Sequence, residues 1–562
     1  MSSSLLFLSL SLSFIILSFL ISISISLPIT IYVNNQSLNT NTTCGIDNST
    51  VNACSDISSA LIAFNSNAGS IVDGVTQDLN IVMSAGTYLG DNNANFTIYN
   101  QSVSIEADNI GTVTIDMSNT TATYFIQVSV NQSLPEDMTE IVLSRLSFTG
   151  LDLSRSNTTS GGILVSTTVS TEVLVNFVQC QFTNIFTANS ALISLQSMLA
   201  VNQYLLIDQC IMTNVSSNEV IIAPQNVGFN LTNSQFTANN GIFLVQHMWG
   251  LPIIVNNTFS NNNFTNLSAG ALFLFGYITS PTSQIANNTF TSNQVYGAII
   301  MSVRSRLFVS NCLFTKAINT NGIIVGDGSV LYLSNSSFIS NSALKYGQIY
   351  ATDTSSIVIS NSSFVGNSAI NGSAISALAT SSFAIDSTYF TENVATGSGG
   401  AINSKATTQF TITNSKFSNN SANNVGGAIF SSSSSYFNIS TSVFNGNSAG
   451  SGGAIECNNS TIVAQNVLFD ENIDKNSNET SDLVSCENNN CKVSGNSNHN
   501  YCLANNGDDN GYGDGLPKKV VVGIIIGVVV GVLILALIVY IIYKRRKNQL
   551  KYATNYHYSN VH

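Results

Sequence analysis

The first candidates for chemistry in this sequence are its acidic side chains. Along the middle of the chain they stand apart, as Asp208, Glu219, Asp327, Asp353, Asp386, Glu392 and Glu456. Glycoside cleavage needs two carboxylates a few ångströms apart. None of these acids has an acidic neighbour at the equivalent position of the adjoining repeat. Asp470 and Glu471 are adjacent but lack a basic or histidine partner nearby, and Asp508-Asp509 sits in a Gly-rich stretch. Arg304 and Arg306 flank one turn and read as a solvated pair. His247 is the only histidine of the repeat region, and no H-x-x-H spacing exists. A catalytic centre needs convergent titratable groups, so no catalytic residue, metal ligand or cofactor is assigned and a non-enzymatic protein is expected. Trp249 is the only tryptophan. It reads as a buried turn residue, the rival being an exposed ring that stacks on a sugar.

Cysteine and asparagine carry the remaining chemistry. Nine cysteines in an exported chain imply disulfides with one left over. Cys44 and Cys54 are expected to close an N-terminal loop. Cys457, Cys486, Cys491 and Cys502 form a second candidate set, for which several pairings are open. Cys180, Cys210 and Cys312 stand two residues before a repeated Phe or Met; they read either as partners in a bridge or as small buried hydrophobes. N-x-Ser/Thr sequons recur, and glycosylation is expected at Asn35, Asn41, Asn48, Asn95, Asn100, Asn119, Asn131, Asn157 and Asn478. Asn256, Asn287, Asn335 and Asn361 fall three residues before the repeated Phe and read as inward positions closed to a glycosyl transferase.

These residues must be positioned by a repeat. Phenylalanine recurs at Phe290, Phe314, Phe338, Phe364, Phe390, Phe417, Phe444 and Phe469, at intervals of 24 to 27 residues. An apolar pair precedes it by seven and five residues, as in Leu331/Leu333 and Phe410/Ile412, which is the alternation of a strand with one buried face. Asparagine follows it by three, at Asn293, Asn341, Asn367, Asn393, Asn420, Asn447 and Asn472. A block such as Gly426-Gly427-Ala428-Ile429 comes next. One period cannot bury its own apolar face, whereas stacked periods can, each strand pairing with its counterpart about 4.8 Å away. The pattern predicts an all-β parallel β-helix of about 13 clear coils, with three or four blurred ones in residues 30–145. A leucine-rich repeat shares the period but needs L-x-x-L-x-L, which is lacking.

The F-x-x-N and G-G-A-I pair, sharpest from Phe364 to Ile455, resembles the repeat of the chlamydial polymorphic outer-membrane proteins. Ile31-Tyr32-Val33, Cys44-Gly45, Cys54, Ala60-Leu61 and Gly86-Thr87-Tyr88 are similar to the N-terminal region of amoebal cell-surface β-helix proteins. The resemblance covers most of residues 30–475. It implies a right-handed, pectin-lyase-like solenoid and, by analogy, surface adhesion. Pectin-lyase-like enzymes cluster acids with a basic residue on one sheet, so aligned acids beside an arginine would favour a polysaccharide-binding or -cleaving enzyme instead. A structural coat protein is a third reading. The chain departs from the bacterial family at its C-terminus, where one apolar helix stands in place of a barrel.

The ends specify placement. Residues 1–26 read as a signal peptide. The uncharged stretch Val520–Tyr543 is long enough to cross a bilayer and is followed by Lys544-Arg545-Arg546-Lys547. The expected order is signal peptide, cap and first coils (27–145), repeats (146–475), Cys-containing stalk (476–519), single transmembrane helix (520–543) and cytoplasmic tail (544–562). That is a type I plasma-membrane protein. Gly523, Gly527 and Gly531 form one stripe of the span, suited to a homodimer. Tyr558 and Val561 fit a tyrosine-based endocytic signal. The expected partners are the membrane and a cell-surface protein or glycan. With 8% charged residues, 44% hydrophobic ones and a net charge of −12, neither a disordered chain nor a nucleic-acid binder fits.

Overall fold

The computed structural model describes residues 28–476 apart from short segments, the longer ones at 68–77, 109–112, 130–138, 155–160, 167–171, 198–202, 265–269 and 276–282, together with 484–486 and 491–495. The signal peptide, the stretch 520–543 with its three glycines, and the tail with Tyr558 and Val561 lie outside the described residues. Among the described residues, no helix is long and apolar enough to cross a membrane.

These residues form a parallel β-solenoid of the right-handed type. Each coil opens with an alternating strand such as Val330–Ser334, whose Leu331 and Leu333 point into the core. A two-residue corner (Asn335-Ser336) follows, then the short phenylalanine strand (Ser337–Ile339), then a longer turn and a third strand (Ile349–Ala351). Equivalent strands stack into a first sheet of 17 strands and second and third sheets of 15 each. At about 4.8 Å per strand, 17 strands give a solenoid roughly 80 Å long. From Ser368–Ala369 onward, an extra two-residue strand adds a further sheet of five.

Register follows from like stacking on like. Phe314, Phe338 and Phe364 are Cα partners on successive strands of the second sheet. Their rings stack with centroids 4.4 and 4.8 Å apart and planes within 5°. A second column, Phe383–Phe410–Phe437, does the same in the first sheet at 4.4 Å. A slip of one residue would break both columns at once.

Asparagines three residues after the phenylalanines form the inner ladder that the repeat predicts. Asn393 Nδ2 donates to Phe364 O (2.8 Å) and to Asn420 Oδ1 (2.9 Å), and its N–H donates to that same Oδ1 at 3.1 Å. Its own Oδ1 accepts two bonds from Asn367. Every polar atom of this buried amide is therefore matched. The ladder runs from Asn239 through Asn262 to Asn293, is interrupted at Ala317, and resumes from Asn341 to Asn472.

The corner residues need correction. Asn256, Asn287, Asn335 and Asn361 do not point inward; all are exposed, with φ between 47° and 60°. Asparagine tolerates this left-handed conformation, and the turn throws its side chain out. The inward place belongs to the next residue: Asn257, Asn288, Ser336 and Ser362 are buried and bond across coils.

One short helix departs from the all-strand reading. Ile57–Asn67 packs Ile57, Ala60, Ala63 and Phe64 onto the first strands, Ile29–Val33 and Leu79–Met83. Asp56 caps it, its carboxylate accepting Ser59 N–H at 2.7 Å. The helix covers an end of the solenoid that has no preceding coil among the described residues.

Candidate functional site

The most chemically loaded place lies where the repeat is blurred, on the outer face of the first sheet. Leu79 pairs with Val103 and Val103 with Ile141, so Asp78, Ser102 and Glu140 occupy one level of three successive strands. Two strand spacings put the acids' backbones about 10 Å apart. The alternation that buries Leu79, Val103 and Ile141 turns these three outward. They line a groove of about 290 Å³ with Asn80, Glu106 and Val142.

Burial raises the pKa of both acids. At Asp78 a hydrogen bond from Ser102 opposes the effect. At Glu140 burial acts first and the Asp78 charge adds to it, while the bond from Asn176 Nδ2 (3.0 Å) opposes. Glu106 instead pairs with Arg145 Nη2 at 2.8 Å and accepts from Asn80 Nδ2 at 3.3 Å. The Oδ1 atoms of Asn80 and Asn176 are buried without a hydrogen-bond partner. Two outward carboxyls with raised pKa values beside an ion-paired carboxylate offer hydrogen-bonding groups to a polyhydroxylated chain.

Sequence reasoning missed this set because loops of unequal length hide the register in residues 68–138. The signal that was present is the alternation itself, Leu79/Ile81 and Val103/Ile105, which fixes the outward level of Asp78. The expectation that none of the acids from Asp208 to Glu456 has an acidic neighbour at the equivalent position of the adjoining repeat is corrected at another place. Val303 pairs with Gly326 and Val325 with Ala351, so Arg304, Asp327 and Asp353 follow one another at a single corner, all with φ near 50°. Asp327 lies 13 residues after its phenylalanine and Asp353 lies 15, an offset that alignment on phenylalanine does not see. Arg304 Nε is ion-paired to Asp327, both side chains about half exposed, which makes it a weak solvated pair.

The third sheet carries a different groove, of about 440 Å³. Its walls are Gln196, Gln225, Gln246, Ser166, Ser194 and Glu219 around a floor that includes Val220 and Ala223. With Asn189 it has four amides and one carboxylate over an apolar base, a composition suited to hydroxyls and peptide groups.

The remaining candidates are placed as follows. Cys44 and Cys54 are joined by a disulfide with Cα atoms 4.8 Å apart. Cys457 is bonded to Cys491, and Cys486 stacks in register on Cys457. The three sulfurs lie within 4.8 Å of one another; a disulfide using two of them makes this a staple on the last coils rather than a metal centre. Cys502 lies outside the described residues. Cys180, Cys210 and Cys312 are buried thiols, neither bridged nor merely apolar. They fill the same inward place as Ser336: Cys180 N–H donates to Cys210 Sγ at 3.4 Å, and Cys180 Sγ to Leu143 O at 3.2 Å. Burial pushes the Cys312 thiol up to about 11.

His247 is buried against Phe229, with Nε2 3.1 Å from Val227 O, and burial lowers its pKa to about 4. Trp249 is a turn residue, as expected, but it is 39% exposed rather than buried, because its φ of 55° turns the ring outward. Of the expected glycosylation positions, Asn41 and Asn95 are exposed. Asn35 donates to Thr87 O at 3.3 Å, and Asn48 donates to Asp108 Oδ2 at 2.9 Å. Asn100, Asn119, Asn131, Asn157 and Asn478 lie outside the described residues.

No protein-family description matches the sequence, and no curated protein matches it. Among solved structures, the chain is similar to ORF18 of Geobacillus virus E2 (TM-score 0.26, 14% identity, 59% of this chain and 57% of that one). It is also similar to a mannuronic-acid-specific polysaccharide family 6 lyase from human gut microbiota (TM-score 0.28, 9% identity, 65% and 82%). A third is pectate lyase Pel9A (TM-score 0.23, 12% identity, 72% and 78%). Likeness of this degree carries neither activity nor substrate to this chain, whose description rests on its own geometry: an all-β parallel β-solenoid.

Proposed function

We propose that this chain is a non-enzymatic cell-surface recognition protein, its solenoid exported through the signal peptide 1–26 and tethered by the span 520–543. The observation that carries the reading is the third-sheet groove, where amides and hydroxyls surround an apolar floor with a single carboxylate. Such a surface favours neutral glycans or polypeptide on a neighbouring cell over an ionic ligand. A parallel solenoid holds it rigidly because Ser166, Ser194, Gln196, Gln225 and Gln246 sit on hydrogen-bonded strands. The test is display of the full chain on non-adherent cells, scored by aggregation or by capture of a target cell. Ala223→Arg, which places a long cation on the groove floor, should reduce capture at least tenfold at unchanged surface expression. Unchanged capture would reject this face.

A second reading, a polysaccharide-cleaving enzyme, is favoured by Asp78 and Glu140, whose pKa values are both raised and which share a groove with Glu106, itself ion-paired to Arg145. Incubating the displayed chain with acidic and neutral polysaccharides and assaying new reducing or unsaturated ends separates the two. Products that vanish in Glu140→Gln would replace recognition by catalysis.

A further inference from the structure

The corner between the first and second sheets gives its asparagines a use that their place in the repeat had hidden. We propose that Asn256, Asn287, Asn335 and Asn361 are N-glycan attachment sites, making that corner a ridge of oligosaccharide along the solenoid. The inference rests on the reading of the chain as exported.

Each of the four begins an N-x-Ser/Thr triplet: Asn256-Asn257-Thr258, Asn287-Asn288-Thr289, Asn335-Ser336-Ser337 and Asn361-Ser362-Ser363. In each the backbone turns out, in and out again. The asparagine is exposed in the left-handed conformation, the middle residue is buried, and the hydroxyl residue starts the phenylalanine strand on its outer side. The acceptor amide thus stands clear of the core, and the buried cross-coil bond belongs to its neighbour, as in Ser336 N–H to Ser362 Oγ at 3.2 Å, whereas the amides' own cross-coil contacts, such as Asn256 Nδ2 to Asn233 Oδ1 at 3.1 Å, are on the exposed surface. Modification leaves the stacking of coils intact.

The step itself balances. Asn Nδ2 attacks C1 of an oligosaccharide carried on a lipid pyrophosphate; the N–C1 bond forms, the C1–O bond breaks, the lipid pyrophosphate leaves, and one Nδ2 proton is lost. The second amide hydrogen remains, so a contact such as Asn287 Nδ2 to Asn256 Oδ1, 3.1 Å, can persist. The placement also has a consequence for contact. No sequon begins within the described strands of the third sheet between residues 124 and 432, so the groove wall stays bare while the opposite corner carries sugar.

The experiment is site mapping on the full chain expressed in a eukaryotic cell, by enzymatic deglycosylation in heavy-oxygen water and peptide mass spectrometry. All four asparagines should carry the amide-to-acid signature. A variant with all four changed to glutamine should migrate faster by four glycans. Because Asn→Gln strains a left-handed corner, a second variant removes the hydroxyls instead (Thr258→Ala, Thr289→Ala, Ser337→Ala, Ser363→Ala) and should show the same shift. Modification at Asn41 or Asn95 with all four corner sites bare would overturn the ridge while sparing export. Bare sequons everywhere would overturn both.

Discussion

The first coils and the last ones solve the same packing problem differently. Near the N-terminus the aromatic rings meet edge to face, Phe96 on Phe125 at 84° and Phe125 on Phe148 at 68°. Near the C-terminus they lie flat, Phe390 on Phe417 at 5° and Phe417 on Phe444 at 2°. The asparagine ladder serves only coils from Asn239 onward, whereas the first coils depend on a helix cap and the Cys44–Cys54 bridge. Loops differ in length in the first region and hardly at all in the last. Strict repetition makes a stable scaffold in which every level is alike. Broken repetition lets unlike groups meet, and Asp78, Glu140 and the Glu106–Arg145 pair gather there.

The sharpest way to break this contrast is at the ladder. Asn393→Leu strands Phe364 O, Asn367 N–H and two amide partners inside the core, and should cost about 3–4 kcal/mol. Urea unfolding of the variant should shift by that amount, whereas Phe125→Leu, in the irregular region, should cost only about 1–2 kcal/mol. Equal losses would remove the distinction.

Between the two regions His247 makes stability depend on pH. Its folded pKa of about 4 lies below its ordinary 6.5, so the unfolded chain binds the extra proton between those values. Stability is complete above about pH 6.5 and falls by roughly 3 kcal/mol as pH drops to about 4. Amide exchange of strand Phe243–Met248 at pH 7 and pH 4.5, corrected for intrinsic rates, should reveal the loss; in His247→Phe the pH dependence should be absent.

At the N-terminal end, Cys44→Ser together with Cys54→Ser frees a loop of about ten residues and should cost about 2–3 kcal/mol. Proteolysis should then begin at the N-terminal coils and leave those after Asn239 protected. The smallest effect is a gain. Ala317→Asn, between Asn293 and Asn341, joins two ladders and should stabilise by about 1 kcal/mol, read as a higher urea midpoint; a lower one would show that the gap relieves crowding.

Much of this was legible without coordinates because a solenoid turns sequence period into spatial contact. The interval between phenylalanines predicts that Phe338 lies on Phe364, and the asparagine three residues on predicts a ladder. The corner asparagines were misread because a single left-handed residue reverses facing, and alternation counted through Asn335 carries no sign of that reversal. The acid pair was missed for a related reason: residues 109–112 and 130–138 alter the count without altering the register.

The sequence by itself determined the solenoid, its strand order and its buried columns, since each follows from local alternation and one period. Only the tertiary structure decided which side of a corner a residue takes and which outward residues share a level. Both depend on summed loop lengths and on the sign of φ at one position, and no pairwise pattern along the chain encodes either.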